Sequence, residues 1–96
     1  MTWWTAKTDS NQADIVKALR KAGCSVQSLH DVGRGVPDLL VGRNGVNYLL
    51  EVKSEDGKLT PVQDIWHKKW RGQALIVRNP KDALRVVGLW VDHSER

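Results

Sequence analysis

The sequence predicts a small α/β domain, a mixed β-sheet with helices on its faces in the order α-β-β-β-α-β-α. Three observations carry that expectation. Apolar residues recur at helical spacing early in the chain and stop at a glycine. Two apolar runs flank Asn44-Gly45, and Thr60-Pro61 opens a second helical pattern ahead of one more short apolar run. At 96 residues the chain has the length of one domain, taken as 1–96 with residues 1–9 as an N-terminal arm. A chain of this size buries only roughly 60–65% of its unfolded surface, so it is modestly stable alone.

Ser10 is placed to cap a helix over residues 10–22, with Gly23 as its stop and Ile15, Val16, Leu19 and Ala22 as its core stripe. Residues 24–29 read as a short strand, and Gly33-Arg34-Gly35-Val36-Pro37 as a loop. Residues 38–43 and 46–53 read as two strands. Asn-Gly between apolar runs is the strongest short hairpin signal, because both turn residues need positive φ. Residues 54–59 form a polar loop. Thr60 at N-cap, Pro61 at N1 and Gln63 at N3 make a capping box for a helix running to about Trp70. Its residues Val62, Ile65, Trp66 and Trp70 are spaced as a core-facing stripe, which argues against base stacking by those tryptophans. Residues 73–78 form a third core strand, and Asn79-Pro80 starts a short last helix. The run 86–91 is compatible with an extension of that helix or with an edge strand.

The net charge of +4 favours an anionic partner, nucleic acid first. The single cysteine, Cys24, excludes an internal disulfide framework and reads as a small core residue. No stretch approaches the ~20 apolar residues of a membrane span. Met1-Thr2-Trp3-Trp4 lacks the basic and long apolar regions of a signal peptide. The expectation is a soluble, cytoplasmic protein without a membrane partner or a small-molecule substrate. Five Trp and no Phe is an unusual aromatic choice that suits interfaces as well as cores.

The chemistry lies at the end of the hairpin. A two-residue Asn44-Gly45 turn sets Arg43 opposite Val46, Leu40 opposite Leu49, and Asp38 opposite Glu51. Carboxylates so paired, with Cβ atoms about 4.5–5.5 Å apart, repel each other, and the leucines around them sharpen the repulsion. Such a pair needs a cation, or one member must take up a proton. Lys53, two residues beyond Glu51, projects from the same face. Two arrangements satisfy these residues: a hairpin end in which Lys53 neutralises Glu51, and a metal site. Two carboxylates with the main-chain carbonyl of Val52 suit Mg²⁺ or Mn²⁺, which take hard oxygen donors and keep several waters. With Lys53 to hold water or phosphate, that is a phosphodiester-hydrolysing site in outline.

Pro37-Asp38 followed by Glu51-Val52-Lys53 resembles the PD-(D/E)XK signature of the restriction-endonuclease-like superfamily. Gly35-Val36-Pro37-Asp38-Leu39-Leu40, Tyr48-Leu49-Leu50-Glu51-Val52-Lys53 and Leu59-Thr60-Pro61-Val62-Gln63, with Gly72 ahead of a Val-containing strand, resemble its VRR-NUC family. The likeness spans roughly residues 10–85. It implies a restriction-endonuclease-like core and a metal-dependent nuclease, with Asp38 and Glu51 as metal ligands, Lys53 as catalytic lysine and Gln63 as a further site residue. Superfamily members often carry a Glu on the first helix as another ligand. The matching position here is Gln12, whose neutral amide binds metal more weakly, and Asp14 lies on a different face. The stand-alone form of the family implies a structure-selective endonuclease for branched DNA, four-way (Holliday) junctions above all. The alternative is a DNA-binding module that has lost catalysis.

Arg34, ahead of Asp38, is expected at the mouth of the site as a phosphate contact. Lys68, Lys69 and Arg71 are compatible with a solvated face that favours the helix C-terminal dipole and with a ridge that contacts DNA. His67 reads as a solvent-edge residue, and His30 and His93 belong to no zinc spacing. A two-fold symmetric homodimer would supply both cuts that a four-way junction requires. Trp3, Trp4 and the apolar run 86–91 are its expected interface.

Overall fold

The computed structural model describes residues 3–89, with side chains from residue 11 onward. Its elements are α1 (Trp3–Lys21), β1 (Ser25–Ser28), β2 (Leu39–Arg43), β3 (Val46–Val52), α2 (Pro61–Lys69), β4 (Leu75–Val77) and α3 (Pro80–Val86), the order predicted. The sheet runs β1-β2-β3-β4. Its first two pairings are antiparallel and β3–β4 is parallel. A parallel neighbour needs a crossover, and α2 occupies it.

The hairpin has the expected register, with Arg43 opposite Val46, Leu40 opposite Leu49 and Leu39 opposite Leu50. Asn44 (φ 52°) and Gly45 (φ 78°) both take the left-handed conformation that the two-residue turn demands. Gly23 ends α1 as expected. Its N–H bonds the Arg20 carbonyl and the Cys24 N–H reaches the Leu19 carbonyl, a Schellman closure. The same closure follows α3, from Gly88 to Arg85 and from Leu89 to Leu84. It settles the first part of the 86–91 run: Val86 ends the helix and Gly88 turns the chain. Trp90 and Val91 lie outside the described residues.

Three expectations are corrected. First, α1 starts at Trp3, so residues 3–9 are helical backbone rather than an arm, and Ser10 lies inside the helix rather than at its cap. Residues 3–9 contain neither Gly nor Pro, so nothing local stops the helix from continuing back through them. Second, Ala22 is exposed in the turn after α1 instead of completing the core stripe. Third, α2 does not bury its apolar stripe. Val62, Ile65 and Trp70 are 55%, 54% and 48% exposed, and Trp66 is half-buried. Helical period shows which face is apolar, not whether anything covers it.

The core is built by α1 and α3 against the sheet. Ile15 and Leu19 from α1 meet Leu39, Val41, Leu50 and Val77 from the strands and Ala83 and Val87 from the α3 end. Val87 is wholly buried, and Val86 and Leu89 pack against the same cluster. That part of the expected dimer surface is therefore spent on the core. Trp3 and Trp4 have no described side chains. Cys24 is a buried free thiol, as expected, and burial pushes its pKa up against the opposing effect of Arg43. No helix among the described residues is long and apolar enough to cross a membrane.

Candidate active site

Side chains alternate along a strand. Leu50 and Val52 enter the core, so Glu51 and Lys53 leave the sheet on its other side. Asp38 immediately precedes β2, after the fully buried Pro37. Its backbone carbonyl still accepts from the Leu29 N–H at 2.8 Å. Its carboxylate does what a ladder carbonyl would otherwise do, accepting the Val52 N–H through Oδ2 at 2.8 Å. That bond holds Asp38 beside β3 at the level of Glu51.

Glu51 is the one buried charged side chain among the described residues, only 1% exposed. Its Oε2 lies 3.7 Å from Lys53 Nζ, and its Oε1 is buried without a hydrogen-bond partner. Burial first, and then the neighbouring carboxyl of Asp38, push the Glu51 pKa up to about 7, with Lys53 pulling the other way. One ammonium therefore does not neutralise the pair. Without a further cation the site keeps a proton near neutral pH, the first consequence expected of two opposed carboxylates.

A cleft of about 580 Å³ brings together Gln12, Asp38, Glu51, Val52, Lys53 and Gln63, every residue that the sequence placed in the site itself. Asp14 is exposed on another face of α1. Gln63 closes the capping box in both directions, its N–H donating to Thr60 Oγ1 at 3.2 Å and its Oε1 accepting the Thr60 N–H at 2.9 Å. With Oε1 engaged in the cap, the group it offers the cleft at least cost to the helix is its amide nitrogen.

Arg34 is not at the mouth of this cleft. It lines a neighbouring hollow along α2 with Val62, Ile65, Trp66, Lys69 and Trp70. The cause is local: Arg34 (φ 58°) and Gly35 (φ 82°) are both left-handed, and they dock the loop on the first turn of α2. A Cβ at Gly35 would lie 2.6 Å from the Val62 carbonyl oxygen, so only glycine permits that approach. Lys68 is exposed and paired with Asp64 at 3.0 Å, and Lys69 and Arg71 are exposed. His67 lies outside the cleft lining, with its ring edge-on to Trp66 and its Nε2 buried without a partner. His30 is exposed, and His93 lies outside the described residues.

Sequence reasoning missed Asn11, Lys58 and Arg78. Asn11 and Lys58 line the cleft. The Asn11 amide nitrogen reaches the carbonyls of Lys53 (3.3 Å) and Arg78 (3.4 Å), tying α1 to the ends of β3 and β4. Arg78 Nη1 donates to the carbonyls of Ser54 (2.6 Å), Glu55 (3.2 Å) and Gly57 (2.8 Å), which holds the loop carrying Lys58. The position of Asn11 beside Gln12 was the one available signal. Nothing local marks Arg78.

The donor set fits a hard divalent cation. A partnerless buried carboxylate oxygen beside a second carboxylate is a site that a cation completes. Among the described residues no third His, Cys, Asp or Glu joins them, so remaining protein ligands would be neutral oxygens such as the Val52 carbonyl.

A four-stranded mixed sheet packed against helices, with this cluster at the end of its central hairpin, is a restriction-endonuclease-like α/β fold. More narrowly, the chain is similar to a solved structure described as a VRR_NUC domain. Their identity is 26% and the TM-score 0.69, over 86% of this chain and 96% of that one. That likeness supports membership of the VRR-NUC family, and with it a nuclease-type domain. No family model and no curated protein sequence matches the chain.

Proposed function

We propose that the protein is a metal-dependent DNA endonuclease, with Asp38, Glu51 and the Val52 carbonyl as ligands of Mg²⁺ or Mn²⁺. The observation that carries this reading is Glu51, buried beside Asp38 with Oε1 unpartnered and only one ammonium nearby. A bound divalent ion supplies neutralising charge for a phosphate and lowers the pKa of a water. Lys53 cannot be a ligand as an ammonium, so its role is to hold the attacking water or to stabilise charge on the pentacovalent phosphorane. Gln63, in the first turn of α2, lies where helix amides favour a phosphate. Gln12 offers only a neutral amide, which favours a single tightly held ion. Arg34, Lys68, Lys69 and Arg71 bind DNA outside the cleft.

The substrate is branched DNA such as a four-way (Holliday) junction, and the active form is a homodimer working inside the cell. One domain with one site cuts one strand, whereas resolving a junction takes two cuts related by approximate two-fold symmetry, which a C₂ dimer matches. Light scattering should then give about twice the 10.8 kDa chain mass.

The test is incubation with plasmid and four-way-junction DNA with Mn²⁺ or with EDTA. Cleavage is expected only with metal, and Asp38→Asn and Glu51→Gln should reduce it to background. Lys53→Ala should lose about 10²- to 10³-fold in rate while calorimetry still finds Mn²⁺ binding. Full activity in EDTA or in either carboxylate variant would overturn the site. Metal-independent DNA binding with no cleavage under any condition would instead establish the non-catalytic DNA-binding module.

A further inference from the structure

We infer that the exposed apolar face of α2 is a binding platform for unpaired bases of a nucleic-acid strand, with Trp66 and Trp70 as its stacking surface. The inference rests on the nuclease reading only for the choice of DNA; the face itself stands apart from the catalytic cleft. Trp66 and Trp70 lie parallel, with ring centroids 4.8 Å apart and planes 16° apart. Trp70 is nevertheless 48% exposed, so stacking on Trp66 leaves much of its indole open. Its ring is also seated by Gly72, where a Cβ would come within 2.9 Å of the indole Nε1. Rings held in this way lose little freedom on binding.

Charge selects the occupant. Arg34 and Lys69 line the same hollow of about 320 Å³ as the two tryptophans, together with Val62 and Ile65. A flat aromatic surface rimmed by cations fits a ligand that is aromatic and anionic at once, which is a strand with bases out of the duplex. Paired bases hide their faces in the stack and would meet only the cations. A second copy of this chain fits less well. A two-fold contact sets a surface against itself, so Arg34 and Lys69 would approach their own images around an apolar centre.

The hollow and the cleft flank the same helix: Val62 lines the first and Gln63 the second. A strand leaving a branch point can therefore stack on α2 while the adjoining backbone passes the cleft. On this basis the platform recognises unpaired nucleotides beside the cut, through stacking rather than hydrogen bonds to base edges.

The experiment measures binding in EDTA, where cleavage plays no part, to an oligo(dT) strand and to a blunt duplex of equal length at one salt concentration. A strand carrying 2-aminopurine reports stacking by its quenching. Trp70→Ala should weaken strand binding about five- to hundredfold and abolish the quenching, while Trp70→Phe restores most of both. Duplex affinity should change by less than about twofold. Thermal melting of each variant checks folding. Unchanged strand affinity, or equal losses for strand and duplex, would overturn the platform. A dimer that Trp70→Ala converts to monomer with unchanged strand binding would also overturn it and assign the face to a second copy. If the parent cleaves nothing but shows the strand-specific loss, the nuclease reading fails and the platform stands.

Discussion

The end of β3 and the helix that follows it are built on opposite principles. At the strand end, Glu51 is excluded from solvent in the company of Asp38 and Lys53. On α2, Val62, Ile65 and Trp70 each leave about half of their surface in water. Stability alone would do the reverse. Burying a charge without full pairing is costly, and leaving large apolar groups exposed forgoes the gain from covering them. Sequences tend to break such local rules where function demands it. Both exceptions fall on one short stretch of chain, and the core that tolerates them, between α1, α3 and the sheet, follows the rules throughout. The contrast separates a site that holds charge away from water from a surface that keeps apolar groups available.

The largest effect that would test this contrast is the pH dependence of stability without metal. Unfolded, Glu51 loses its proton near the ordinary value of 4.5, and folded it keeps it up to about 7. The folded state thus holds the proton more tightly. The stability this contributes is fully present below the unfolded value and is lost as pH rises through about 7. Urea unfolding in EDTA should show a loss of roughly 2–3 kcal/mol from pH 4 to pH 8. Glu51→Gln should flatten that loss. Mn²⁺ should reverse it at pH 8 far more than at pH 4, because the ion competes with the proton. A flat profile in the parent would mean that the strand end is not the burdened region described above.

The hairpin end was legible because its determinants are local. Asn44-Gly45 admits essentially one turn, the turn sets the register, and the register carries Asp38 to Glu51. The Thr60 cap was legible for the same reason, and with it the place of Gln63. What stayed hidden depends on contacts distant in the chain. Arg78 meets the loop carbonyls 21 to 24 residues away, and Asn11 meets Lys53 and Arg78 at separations of 42 and 67. The exposure of α2 was hidden because amphipathic spacing is the same for a covered and an uncovered face. Arg34 was misplaced because three left-handed residues in succession, Gly33, Arg34 and Gly35, redirect a loop in a way that Gly-Arg-Gly does not announce.

Arg78 sharpens the comparison at an intermediate level, since it secures the cleft wall without touching the carboxylates. Removing its guanidinium takes one shared donor from three carbonyls, of which only that of Gly57 is in a part-buried bond. Water can replace much of the rest. Arg78→Met should cost about 1–2 kcal/mol in urea unfolding. It should also speed hydrogen exchange in residues 54–58 while leaving β2 and β3 protected. A loss confined to global stability, with no local change in exchange, would show that Arg78 braces the fold and not the loop.

The smallest expected effect is the most telling for α2. At a core position, Ile→Lys would bury an unpaired ammonium and cost several kcal/mol. Ile65 has the spacing of a core residue yet is 54% exposed, so its side chain has water within reach in the folded state. Lysine is also a better helix former than isoleucine, by a few tenths of a kcal/mol. It would sit one residue from the acidic Asp64 and add a cation to a face already rimmed by Arg34 and Lys69. Ile65→Lys should therefore change unfolding free energy by no more than about 0.5 kcal/mol, in either direction. A loss of 2 kcal/mol or more would mean that something covers this face and that α2 obeys the same rule as α1, and the contrast with the strand end would collapse to the buried carboxylates alone. A neutral result leaves the apolar surface of α2 without a role in holding the monomer together. Its retention then has to be explained by what binds there.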